Sequence, residues 1–176
     1  MKNIPNILTG FRILLIPFFV WQMLRGHLLN AGGILILSGI TDLLDGYLAR
    51  RFHWVSQLGK VLDPIADKLT HAAICILFII KLRQFWPFFV IILGKDLIIL
   101  ILGASLLKKK VKVQGAKMAG KVSTTVFYLV AILLILIPGI PKEAAIALLS
   151  LATLCSLVAG FSYIPDYIKY RSQARL

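Results

Sequence analysis

Four aspartates, Asp42, Asp45, Asp63 and Asp67, fall within twenty-six positions of a chain that has seven acidic residues in all. Each pair has helical spacing: Asp42 and Asp45 are i,i+3 and Asp63 and Asp67 are i,i+4, so on helices each pair shares a face. Four carboxylates brought to one point repel, and they do not all stay ionised without cations. Basic neighbours are one source of compensation, and Arg50, Arg51, Lys60 and Lys68 are close in sequence. The sharper reading is one or two hard divalent metal ions, Mg2+ or Mn2+. Magnesium takes oxygen ligands and couples a few carboxylates to substrate phosphates. Two ions about 3.5–4 Å apart stabilise both the attacking and the leaving oxygen of a displacement. The expected chemistry is metal-assisted transfer at phosphorus. No sulfur or imidazole set competes: Cys75 and Cys155 lie in apolar runs, and His53 and His71 read as packing or interfacial residues.

The residues beside the acids suit a phosphate substrate. Gly46 follows Asp45, Ala49 stands one turn on, and Gly59 precedes the second pair. These small residues leave room for a base or a diphosphate to approach the backbone. Arg50 has the fork that pairs with phosphate oxygens.

The acids need elements to hold them, and these are apolar. Of the 176 residues, 59% are hydrophobic and 15% charged, and the mean hydropathy is +0.89. A soluble domain is about 45–50% apolar and about 25% charged, so soluble, disordered and disulfide-scaffold classes are excluded. Apolar runs cover 7–24, 28–49, 61–80, 85–107, 122–137 and 144–164. A span needs about 20 apolar residues, and the fifth run reaches that length by borrowing 118–121. Pro87 is expected to open a helix, 138–141 to close one, and Pro165 to follow the last. Gly32, Gly33, Gly39, Gly94 and Gly103 read as sites of close helix approach. The fold expected is all-α: a polytopic membrane protein with six transmembrane helices, filling 1–176 as a single domain.

The net charge is +13. In a soluble chain this would suggest nucleic acid. Here the cations lie between apolar runs, so no nucleic acid is expected; the partners are membrane lipid headgroups and phosphate-bearing substrates. With the N-terminus inside, thirteen Lys and Arg fall on the cytoplasmic side against Arg25, Lys81, Arg83 and Lys142 outside. That asymmetry predicts both termini cytoplasmic, and it puts the acids at the inner face of the cell membrane, where the short loop 51–60 joins two antiparallel runs. Arg12, within the first run, is expected to snorkel or to brace an acid. The run 108–112 reads as a lipid-surface and topology signal.

Read together, Asp42-x2-Asp45-Gly46-x2-Ala49-Arg50-x8-Gly59-x3-Asp63-x3-Asp67 resembles the signature of the CDP-alcohol phosphatidyltransferases, with every specified position present. Within that family, the opening Asn3-Ile-Pro5-Asn6-Ile-Leu-Thr9-Gly-Phe-Arg12, the stretch from Leu62 to Lys68 and Gly120-Lys121-Val-Ser-Thr124-Thr125 look like the phosphatidylglycerophosphate synthases. One departure is that Lys95-Asp96 stands where those enzymes usually carry Arg-Glu. Lysine lacks the bidentate fork of arginine, which leaves the cardiolipin synthases of the same fold open.

The resemblance implies transfer of a phosphatidyl group from CDP-diacylglycerol to glycerol 3-phosphate, with release of CMP. It implies metal ligation by Asp42, Asp45, Asp63 and Asp67, and Asp67 as the general base. Asp42, Gly46, Ala49, Arg50 and Gly59 would bind the nucleotide lipid, and Ser56 would meet the cytosine edge. The acceptor phosphate would need cations that the carboxylates do not consume, for which Lys95 and Lys121 stand first, then Lys117 and Thr125. Family members resemble homodimers. Two rivals are a membrane prenyltransferase, which would need a longer chain and lacks the Gly-x2-Ala-Arg element, and a non-catalytic membrane protein, which leaves the acid clustering unexplained.

Overall fold

The computed structural model describes residues 4–52, 59–108 and 118–173, with side chains described at 7–48, 51–52, 65–102 and 118–165. Among the described residues all regular structure is helical: α1 Ile4–Arg25, α2 Leu28–Arg51, α3 Gly59–Lys81, a 3-10 turn Arg83–Phe85, α4 Trp86–Lys108, α5 Met118–Leu136 and α6 Lys142–Gln173. Each apolar run has become a helix, and α5 begins at Met118, having taken in the expected extra turn. Five helices, all but α3, carry a described stretch long and apolar enough to cross a membrane. Pro87 lies in the first turn of α4, and 137–141 separates α5 from α6.

Pro165 does not end the last helix; α6 runs through it to Gln173. The ring removes one N–H bond and crowds the carbonyl four residues back. Both Pro165 and Phe161 stand on the exposed side of α6, where the ring displaces no packed neighbour and the helix carries on.

One compact unit comprises residues 1–81 with 132–138. Its inner faces follow the 3.6-residue period. On α1 the buried positions are Thr9, Arg12, Phe19 and Met23; on α2 they are Ala31, Leu35, Ser38, Thr41 and Asp45; on α3 they include Ala66, Thr70, Ile74 and Phe78. Polar positions thus continue the apolar stripes toward one end of the unit. The other end is closed tightly. Gly26 adopts φ 79°, and N–H groups of Gly26 and His27 bond back to the carbonyls of Met23 and Gln22. This is the left-handed termination that glycine permits, and it reverses the chain from α1 into α2 within two residues. At the same end Lys81 Nζ donates to the Leu24 carbonyl at 3.1 Å, tying α3 to α1.

That closure sets the depth of the polar residues. Arg12 lies thirteen residues before Arg25, Asp42 fourteen after Leu28 and Asp67 fourteen before Lys81. At 1.5 Å per residue, all three stand about 20 Å from the Gly26 end. Three helices therefore present charge at one level.

The second unit comprises 82–131 and 139–176. In it α4 packs on α6, with Phe89, Ile92 and Asp96 on the buried stripe of α4 and Ala145, Leu149, Ala152, Ser156 and Ala159 on that of α6.

Glycines permit close approach at fewer places than expected. A Cβ on Gly32 would collide with the Leu136 side chain, so α2 and the end of α5 do meet there. At Gly33, Gly39 and Gly94 a Cβ would meet nothing within 4 Å. These three face open surroundings rather than a helix, and the close-approach reading fails for them; the side-chain environment of Gly103 lies outside the described residues. Two other places are tight: a Cβ on Gly120 would lie 2.9 Å from Tyr163 Oη, and one on Gly160 would lie 3.0 Å from Lys95 Cγ.

Candidate active site

A single guanidinium gathers three of the four aspartates. Arg12 Nη1 lies 2.7 Å from Asp42 Oδ1 and 2.6 Å from Asp67 Oδ1, while Nη2 lies 2.5 Å from Asp45 Oδ2. Thr9, one turn before Arg12 on α1, donates its hydroxyl to the same Asp45 oxygen at 3.3 Å. The i,i+3 spacing on α2 puts Asp42 and Asp45 on one face, and the common depth of the three helices supplies the rest.

The site is graded in exposure. The Arg12 and Asp45 side chains are 1% and 5% exposed, whereas Asp42 and Asp67 are 46% and 47% exposed. Burying an ionised side chain is costly unless it is paired and hydrogen-bonded, so Arg12 and Asp45 depend on each other. Among the described residues, Arg12 meets three carboxylates and offsets one of their charges. Its Nε is buried with no hydrogen-bond partner.

The donor set fits a divalent metal. Asp42 and Asp67 direct oxygens at the same nitrogen, so those oxygens are neighbours, and both carboxylates are open enough to share an ion with a phosphate or water. Hard oxygens of this kind suit magnesium or manganese. With the guanidinium between them, no three acidic, histidine or cysteine side chains among the described residues are gathered as a ready cage. Asp63 lies one turn before Asp67 on α3, and its side chain is outside the described residues.

Other expected site residues are placed in part. Gly46 lies half-buried on α2 beside Asp45. Ala49 and Arg50 belong to the last turn of α2, and Gly59 opens α3, while the side chains of Ala49 and Arg50 lie outside the described residues. Ser56 and Lys117 lie outside them altogether. In the second unit, Lys95 Nζ pairs with Asp96 Oδ1 at 2.7 Å, both side chains being mostly buried, and the Lys95 stem lies along Gly160. Lys121 and Thr125 are exposed one turn apart on α5, and the Thr125 hydroxyl donates to the Lys121 carbonyl at 3.0 Å.

Comparison with known proteins decides the family. Residues 2–159 match the CDP-alcohol phosphatidyltransferase family. The chain belongs to that family. A CDP-diacylglycerol–glycerol-3-phosphate 3-phosphatidyltransferase of Rickettsia felis is 34% identical over 179 residues, covering 96% of this chain and 97% of the relative. One from Rickettsia typhi is 34% identical over 93% of this chain and 96% of its own. A CMP-forming cardiolipin synthase of Streptomyces coelicolor is 45% identical over 76 residues, 38% of this chain and 34% of that one.

This phosphatidyltransferase uses a residue whose weight the sequence understates. Arg12 does not snorkel; it braces acids, three of them. A basic residue alone in an apolar run, one turn after a threonine, was the available signal. Depth arithmetic from Gly26 would have put it level with Asp42 and Asp67.

Proposed function

We propose that this phosphatidyltransferase moves a phosphatidyl group from CDP-diacylglycerol to glycerol 3-phosphate, yielding phosphatidylglycerophosphate and CMP in phospholipid biosynthesis. The observation that carries the reading is the convergence of Asp42, Asp45 and Asp67 from two helices onto one point, in a chain aligned almost end to end with relatives named for that reaction.

Asp42, Asp45, Asp63 and Asp67 would hold two Mg2+ or Mn2+ ions. When bound, these supply charge neutralisation at the diphosphate and at the departing oxygen. Asp67, half-exposed at the rim, accepts the proton of the attacking hydroxyl; the acceptor oxygen bonds to the phosphorus that carries the diacylglycerol, and the bond from that phosphorus to CMP breaks. Gly46, Ala49, Arg50, Gly59 and Ser56 seat the nucleotide. Lys95 and Lys121, with Lys117 and Thr125, take the acceptor phosphate. Positioning and electrostatics provide much of the rate. The thirteen-to-four division of basic residues supports both termini cytoplasmic and a site at the inner face of the cell membrane, the six apolar runs support six spans in a single membrane domain, and the family resemblance alone supports assembly as a homodimer.

A second reading, cardiolipin synthesis from phosphatidylglycerol, draws on the Lys95–Asp96 pair and the partial match to the Streptomyces enzyme. Purified protein in lipid vesicles with CDP-diacylglycerol and Mg2+ separates the two. Glycerol 3-phosphate is expected to give phosphatidylglycerophosphate, and phosphatidylglycerol nothing. Cardiolipin from phosphatidylglycerol would reassign the acceptor, and no lipid product with either would overturn both readings.

A further inference from the structure

The Arg12 guanidinium occupies the point where three carboxylates meet, two of them half-exposed. Nη2 is bound to the buried Asp45, whose same oxygen also receives the Thr9 hydroxyl. Nη1 carries two N–H groups and lies against two half-exposed carboxylates, where solvent competes for the same oxygens. The two ends of the guanidinium thus differ: one is locked inside and the other faces the open side of the site. The unpartnered Nε shows that this position leaves one donor unmade, which carries a desolvation penalty. A second stable position, in which Nη1 withdraws, is thereby less disfavoured.

We propose that Arg12 is the resting counter-ion of the site, and that loading of a divalent cation is an exchange. Nη1 gives up Asp42 and Asp67 to the cation, while Nη2 stays on Asp45 and keeps α1 in place. Before loading, the guanidinium holds the carboxylates together against their mutual repulsion. On loading it must yield, so the affinity for metal alone is lowered and tight binding waits for a substrate whose phosphates add ligands. This rests on the metal reading above and gives Arg12 the part of a positioning residue.

The test uses the full chain in detergent or nanodiscs, with Mn2+ alone as the probe and free Mn2+ followed by electron paramagnetic resonance, without substrate. Arg12→Gln is expected to bind Mn2+ about tenfold more tightly than the wild type, since a unit positive charge about 4 Å away is removed. In chelator it should unfold at a lower temperature than the wild type, and Mn2+ should close most of that gap. Arg12→Lys, a point charge that cannot span both sides of the site, should fold and show a smaller gain in affinity. Equal or weaker Mn2+ binding in both variants, with a stability gap that Mn2+ leaves untouched, would overturn the exchange and make Arg12 a fixed brace. No Mn2+ binding by wild type or variants up to millimolar concentration would overturn the metal reading itself, and the exchange with it.

Discussion

Replacing Asp45 by asparagine tests how the site is held together. The side chain of Asp45 is 5% exposed and that of Arg12 1%, so the substitution takes a full charge from a desolvated pair. Removing one partner of a buried pair costs about 3–5 kcal/mol when nothing else compensates. Here Asp42 and Asp67 remain on Nη1, and the amide oxygen of asparagine still accepts from Nη2. A cost of about 2–3 kcal/mol is therefore expected. Asp42→Asn weakens a contact of 2.7 Å, but at a carboxylate 46% exposed, where solvent already screens the charge; its cost should stay below about 1 kcal/mol. The assay is equilibrium unfolding in mixed micelles, in chelator so that no metal adds its own binding energy. Arg12→Met with Asp45→Asn should cost less than the two singles added, because neither member of the buried pair is left charged without the other. Equal costs for Asp45→Asn and Asp42→Asn, or strict additivity in the double variant, would refute the reasoning.

Three further outcomes follow. Asp67→Asn should lower turnover by about 10²–10⁴-fold as the loss of a general base, with the helical circular dichroism unchanged; full activity would remove that role. Gly160→Val should push the Lys95 stem aside, since a Cβ there already lies 3.0–3.1 Å from Lys95 Cγ and Cδ; KM for glycerol 3-phosphate should rise several-fold while KM for CDP-diacylglycerol holds. Gly32→Ala should cost about 1–3 kcal/mol by overpacking against Leu136, seen in the same unfolding assay, whereas Gly33→Ala, with open space around it, should be neutral or slightly stabilising.

Much of the fold was legible because helix length and hydropathy are local properties. Six runs became six helices, and the start of α5 at Met118 followed from the length a span requires. Prolines were less informative: Pro87 marked a beginning, but Pro165 sits on an open face where a helix tolerates the missing bond. Glycines were misread for a related reason. Sequence shows that a residue is small, not which way it faces, so Gly33, Gly39 and Gly94 were grouped with Gly32, and Gly160 was overlooked. In the site, helical spacing pairs Asp42 with Asp45, and the short loop 51–60 between antiparallel runs brings Asp67 to them. The cation that meets them comes from α1, thirty residues and a helix reversal away from Asp42, and local spacing carries no information about that contact. Lys95 shows the same limit: its Asp96 neighbour was visible, its rest against Gly160 was not.

Phosphatidyl transfer is expected to depend on divalent cations held by the clustered carboxylates. The most direct measurement is CMP released by the purified protein from CDP-diacylglycerol and glycerol 3-phosphate in Mg2+, after chelation, and after Mg2+ is restored. Steady release is expected in Mg2+, with a fall to background in chelator, recovery on readdition, and no release from Asp45→Asn throughout. CMP release that continues undiminished in chelator, or that survives Asp45→Asn at the wild-type rate, would contradict that expectation.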